Sequence, residues 1–214
     1  VNSSPYSVVE QFEQEIALFA GAKYGIAVDS CTNALFLSLM YCNRQPTTIT
    51  IPNRTYISVP ASIIHAGYKV ELENIEWTGL YQLKPLPIYD SAVRFKKNMY
   101  KDGFHCLSFH IKKHLKIGRG GMILTNDEAA ANWFRLARFN GRSPINHSFD
   151  TFKLLGWNFY MTNADAARGL WLLSTLVGEQ EDITTNNYPD LSIYNFSTAK
   201  SGQTLELNEQ KSIN

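Results

Sequence analysis

Four short polar segments carry the groups best suited to chemistry: 29–33, 52–56, 90–94 and 108–121, each directly after an apolar run. Ser30, Cys31 and Thr32 precede a helical pattern, so their backbone N–H groups would form an anion site at a helix N-terminus. Asp90 closes the run 86–89 and would set a carboxylate in a semi-buried crevice. Ser108 and Lys113 would add a hydroxyl and an amine. Each group also has a plainer reading. A Ser/Thr cluster before a helix is usually a cap, and an Asp after a strand is usually a turn residue. A lysine beside Lys112, His114 and Lys116 is usually a solvated loop charge. It is their shared placement after apolar runs that favours one site. In an open α/β sheet, ligands bind beyond the carboxyl ends of the strands.

The elements that must position these groups are legible from periodicity. Residues 5–20 form an amphipathic helix, with Val8, Phe12, Ile16 and Phe19 at spacings of three and four. Ser4 is its expected cap, Pro5 its first residue and Gly21 its end. Tyr24–Val28 reads as a strand, followed by a helix carrying Ala34, Leu35, Leu37, Leu39 and Met40. Thr47–Ile51 is β-branched and stops at Pro52. Residues 56–66 are helical with Pro60 in the first turn. Lys69–Leu72, Leu86–Tyr89, Phe104–Phe109 and Met122–Leu124 are strand candidates. Helices follow at 127–139, with acid first and arginines last as the dipole prefers, and at 163–177, capped by Thr162 or Asn163. This alternation implies an α/β domain with a largely parallel sheet. The expected organisation is one domain over 1–177 and an extended polar tail over 178–214, whose one compact motif is Tyr188-Pro189-Asp190-Leu191.

Composition narrows the function classes. With 214 residues, 44% hydrophobic, the chain can build one sizeable core. Twenty basic and 19 acidic residues give a net charge of +1, which offers no electrostatic case for nucleic acid or an anionic membrane. No stretch approaches the roughly 20 apolar residues of a membrane span, and Val1–Tyr6 lacks the features of a signal peptide. Cys31, Cys42 and Cys106 are odd in number and widely spaced, so free thiols are expected, with no zinc motif. A reducing, cytoplasmic setting fits, and the sequons at Asn2, Asn53, Asn146 and Asn195 then read as chance matches.

The order of the motifs resembles the DegT/StrS family of pyridoxal-phosphate (PLP) sugar aminotransferases. Phe12-Glu13-Gln14-Glu15 through Ala27-Val28-Asp29-Ser30-Cys31-Thr32-Asn33-Ala34-Leu35 looks like that family's opening helix and its "SGTxAL" phosphate loop. Ile51-Pro52-Asn53-Arg54-Thr55-Tyr56 is similar to "vPsxTF", and Tyr89-Asp90-Ser91-Ala92 to "EDxAq". Ser108-Phe109-His110-Ile111-Lys112-Lys113, with Gly118-Arg119-Gly120-Gly121-Met122, is similar to "SFHxxKxxxxGEGG". Gly156-Trp157-Asn158-Phe159-Tyr160-Met161-Thr162 resembles "GyNyRmt". Five motifs in one order, over residues 8 to about 176, make chance a poor explanation.

The resemblance implies the large domain of fold type I, the aspartate-aminotransferase-like fold, with PLP as cofactor. It implies that Lys113 forms the Schiff base and shuttles the proton, and that Asp90 faces the pyridine nitrogen. Ser30, Cys31 and Thr32 with Ser108 would cradle the phosphate, and Tyr56 would stack on the ring. Asn158 would reach the phosphate of the neighbouring subunit, because the family's sites lie at a homodimer interface. The implied substrates are a nucleotide-linked keto-sugar and an amino-acid donor, glutamate first. Two alternatives stand beside this: a PLP-dependent sugar dehydratase, and a non-catalytic relative that keeps the fold. Cys31, Val93, Arg119 and Tyr160 depart from the family pattern, where Gly, Gln, Glu and Arg are usual. The polar tail also stands where the family has a long helix and a small C-terminal domain, and a naturally short form is the expectation.

Overall fold

The computed structural model describes residues 4–42, 47–144, 150, 152–184 and 188–208. The first helix, α1 (Ser7–Ala20), buries Phe12 and Ile16 completely, as its periodicity requires. It starts two residues later than expected. Ser4 Oγ accepts from Tyr6 N at 3.2 Å, so the serine caps a preceding turn rather than the helix. Gly21 ends α1 in the left-handed conformation, φ 81°, as a glycine can without a Cβ penalty. Then follow β1 (Tyr24–Val28), α2 (Cys31–Tyr41), β2 (Thr48–Pro52), α3 (Ser58–His65) and β3 (Lys69–Glu73). Pro60 does lie in the first turn of α3. After these come β4 (Tyr81–Gln82), β5 (Ile88–Asp90), β6 (Phe104–Ser108), β7 (Gly121–Thr125), α4 (Glu128–Ala137) and α5 (Asn163–Ser174). Asp127 caps α4 and Thr162 caps α5, each through its side-chain oxygen.

The sheet corrects the parallel expectation. Five strands run in the order β1-β7-β6-β5-β4, and β2-β3 form a separate parallel pair. Only β5–β6 is parallel in the larger sheet; β1–β7, β6–β7 and β4–β5 are antiparallel. Connection length is the reason. Five residues join β4 to β5, too few for a crossover, so the two must form a hairpin. β7 likewise turns back after β6 and inserts between β6 and β1. The consequence for function is nonetheless the one the sequence implied. β1, β5 and β6 point the same way, because β7 reverses between two of them. An antiparallel bridge between Thr50 and Lys84 gives β2 that direction too. The segments after β1, β2, β5 and β6 therefore leave one edge together.

Helices cover both faces. On one, α2, α3 and α4 pack with Leu35, Leu39, Ile63 and Phe134 against Ile26, Cys106 and Ile123. On the other, α1 and α5 lay Phe12, Ile16 and Ala166 on Ala27, Leu107 and Met122. Glu13, 5% exposed, is the charged exception: its Oε1 accepts from Ala27 N at 2.8 Å and from Arg138, whose guanidinium also donates to the Ala27 carbonyl. This buried pair ties α1, β1 and the end of α4 together. The three cysteines are free. Asn53 is buried and bonded to Asp190, while the sequons at Asn2 and Asn146 lie outside the described residues. No helix among the described residues is long and apolar enough to cross a membrane.

Candidate active site

The four polar segments meet around a cavity of about 550 Å³. Ser30, Cys31, Thr32, Tyr56, Asp90, Ser108 and Lys113 all line it. Asn158 does not. It is exposed on the segment beside the end of β1, where Asp29 N donates to Phe159 O at 2.8 Å.

The phosphate-loop candidate is built by close approach. Ser30 caps α2, its Oγ accepting from Asn33 N at 3.2 Å, which leaves the N–H groups of the first turn facing outward. Both Val28 and Ser108 pair with Gly121, so the ends of β1 and β6 stand level across β7. A Cβ on Gly121 would lie 2.4 Å from the Ser30 carbonyl carbon and 2.5 Å from Cys31 N. Only glycine lets the loop sit this close to Ser108. The Cys31 thiol donates to the Cys106 carbonyl at 3.5 Å; burial first, then Asp90, pushes its pKa well up. Arg119, where the family pattern has an acid, pairs with Asp29 at 2.8 Å.

Asp90 sits 6% exposed at the end of β5. Its Oδ1 accepts from Ala92 N at 2.9 Å and its Oδ2 from the Tyr81 hydroxyl at 3.0 Å. Burial raises its pKa, opposed by those two donors and by the Lys113 charge. Lys113 is half-buried, and burial lowers its pKa against the pull of Asp90 and then Cys31. Of Lys112, His114 and Lys116, only Lys112 also lines the cavity. Lys112 is exposed at the rim, His114 Nε2 meets the Glu181 carbonyl at 2.7 Å, and the Lys116 carbonyl accepts from Arg168. The turn that Lys113 N closes on His110 O, at 2.8 Å, sets this register.

Several residues around the cavity were given no role from the sequence. Thr55 is 1% exposed and its Oγ1 lies 2.6 Å from the Tyr81 hydroxyl. Trp77 packs edge-on against Tyr81 at 4.6 Å and donates its indole N–H to Arg54 O. Tyr188, in the one compact motif of the tail, lines the cavity and stacks toward Trp77; burial first, then Asp90, raises its pKa to about 12. The tail that carries it packs on its own domain. Ile183 N donates to Val93 O, Asp182 pairs with Arg94 and Lys96, and Leu191, 1% exposed, donates its N–H to Asn53 O. No sequence signal pointed to Tyr81 or Trp77, because neither follows an apolar run. A buried carboxylate, a half-buried amine, a hydroxyl and free helix-terminal N–H groups around one cavity match what PLP requires.

The family model described as the DegT/DnrJ/EryC1/StrS aminotransferase family matches residues 2–87 and 96–190. The spore coat polysaccharide biosynthesis protein SpsC of Bacillus subtilis is 28% identical, over 72% of this chain and 49% of its own length. GDP-perosamine synthase of Caulobacter vibrioides is 26% identical, over 78% of this chain and 57% of its own. The chain thus spans about half the length of the curated relatives it matches. Among solved structures, 3-amino-5-hydroxybenzoic acid synthase superposes with a TM-score of 0.69 at 18% identity, covering 78% of this chain and 56% of its own. The Helicobacter pylori aminotransferase PseC does so with a TM-score of 0.65 at 16% identity, covering 81% and 63%. The shared architecture is fold type I.

Proposed function

The chain belongs to the DegT/DnrJ/EryC1/StrS aminotransferase family, and on that premise we propose that it is a PLP-dependent aminotransferase of nucleotide-linked keto-sugars, with glutamate as donor. One observation carries the reading: Lys113 and Asp90, from segments after different strands, face the same cavity as the start of α2. PLP, when bound, supplies an electron sink for the carbon that loses a proton. Lys113 would hold the cofactor through its ε-amine, and burial favours the neutral, nucleophilic amine. With its amine free, Lys113 Nζ would take and return the proton at the substrate carbon. Asp90 would face the ring nitrogen, with Ala92 N and the Tyr81 hydroxyl opposing the upward pull of burial on its pKa. The N–H groups of Cys31 and Thr32, with the hydroxyl of Ser108, would hold the phosphate on a loop that Ser30 caps, and Tyr56 would flank the ring.

The protein acts as a cytoplasmic homodimer whose sites are completed by Asn158 from the neighbouring subunit. Exposure of Asn158 beside an apolar segment supports this, and light scattering at twice the chain mass is the expected result. For the activity, the test is the absorption spectrum with added PLP, before and after glutamate. A visible band that glutamate converts to the pyridoxamine form supports an aminotransferase. A band that glutamate leaves unchanged contradicts it.

A further inference from the structure

This inference rests on the reading of Asp90 as the carboxylate opposite the cofactor ring. We propose that Tyr81 and Thr55 are positioning residues for that carboxylate, forming a buried relay that fixes its orientation from behind. Tyr81 and Asp90 are directly paired across the β4–β5 hairpin, and the Tyr81 hydroxyl donates to Asp90 Oδ2 at 3.0 Å. That hydroxyl has one proton, so the 2.6 Å contact with Thr55 Oγ1 must be donated by the threonine. The order is therefore Thr55 to Tyr81 to Asp90, with all three residues 6% exposed or less. Ala92 N fixes the other oxygen, Oδ1. With one donor on each oxygen from the protein side, the remaining lone pairs are left for the cavity.

The relay is anchored at its middle and at its Thr55 end. Trp77 packs on the Tyr81 ring at 4.6 Å and is itself held by Arg54 O. Thr55 follows β2, so the relay links the separate two-stranded sheet to the larger one behind the site. Burial, then the Asp90 charge, pushes the Tyr81 pKa well up, which keeps the phenol a donor. The other ionisable groups facing Asp90 are Lys113, Cys31, Cys106 and Tyr188. Of these only Lys113 favours the charged carboxylate, and Lys113 is the residue that the cofactor neutralises. Tyr81 is thus the side-chain donor that, with Ala92 N, lowers the Asp90 pKa against its burial whatever the state of Lys113.

The test uses the carboxyl ¹³C titration of Asp90 in cofactor-free protein, together with PLP titrations of the same variants. Tyr81→Phe should move the Asp90 titration upward by about one to two pH units. It should also weaken PLP binding about tenfold and shift the pH midpoint of the visible band. Thr55→Val should act in the same direction and less, and Thr55→Ser should restore wild-type behaviour. If Tyr81→Phe does not fold, the Thr55→Val and Thr55→Ser pair decides. An unchanged Asp90 titration in Tyr81→Phe, or in Thr55→Val where that pair decides, overturns the relay. So does a Thr55→Ser variant that behaves like Thr55→Val. If wild type forms no band dependent on Lys113, the cofactor reading fails, while the titration of cofactor-free protein still judges the relay.

Discussion

Replacing Asp182 by Asn should loosen the arm that brings Tyr188 to the cavity without unfolding the domain. The Asp182 side chain is 9% exposed and accepts from Arg94 Nε at 3.0 and 3.2 Å and Nη2 at 2.6 Å, with Lys96 Nζ at 3.3 Å. Arg94 and Lys96 are more open to water, at 28% and 40%, so the pairing is screened and falls short of a buried one. A loss of about 1–2 kcal/mol follows, roughly a 5- to 30-fold rise in arm opening. Hydrogen–deuterium exchange at Ile183 reads it directly, because its N–H is bonded to Val93 O at 2.9 Å. The Ile183 amide should exchange faster by that factor while the amides of β6 keep their protection. The pH dependence has a definite sign. Arg94 holds the Asp182 carboxyl below its ordinary pKa, so the latch is fully present above about pH 4 and is lost as pH falls through the depressed value. Wild type and variant should therefore converge in acid. Equal Ile183 exchange in both at neutral pH would refute the argument, and so would equal acceleration throughout β6.

Three other outcomes are expected. Lys113→Ala should abolish the visible band with PLP and leave circular dichroism unchanged, whereas Lys112→Ala and Lys116→Ala should keep the band. Glu13→Gln leaves the Arg138 charge buried without its partner and should cost about 3 kcal/mol or more in urea unfolding. His105, 2% exposed between Tyr89 and Tyr100, has its pKa lowered to about 4 by burial. Its folded value lies below its unfolded one, so its contribution is complete above about pH 6.5 and is lost as pH falls toward 4, about 3 kcal/mol in all. Unfolding of His105→Phe against wild type across that range should show the difference, and parallel profiles would exclude it.

The sequence by itself determined what short-range physics controls. Helix ends at Gly21, Asp127 and Thr162 were legible because a cap is a local hydrogen bond or a local φ. That the segments carrying Ser30, Asp90, Ser108 and Lys113 meet at one cavity was legible because polar segments after apolar runs emerge at strand ends. The register of Lys113 against Lys112 and His114 came from motif spacing, and the structure sends His114 to Glu181 instead. Tertiary structure decided the strand directions, which depend on whether a short connection closes a hairpin. It also decided which residues stand behind the site. β4 is two residues long, too short for any periodicity, yet it pairs Tyr81 with Asp90. Thr55 lies 26 positions from Tyr81 and Asp182 lies 88 from Arg94. Such contacts carry no local pattern, because their partners are chosen only when sheets and arm close around the cavity.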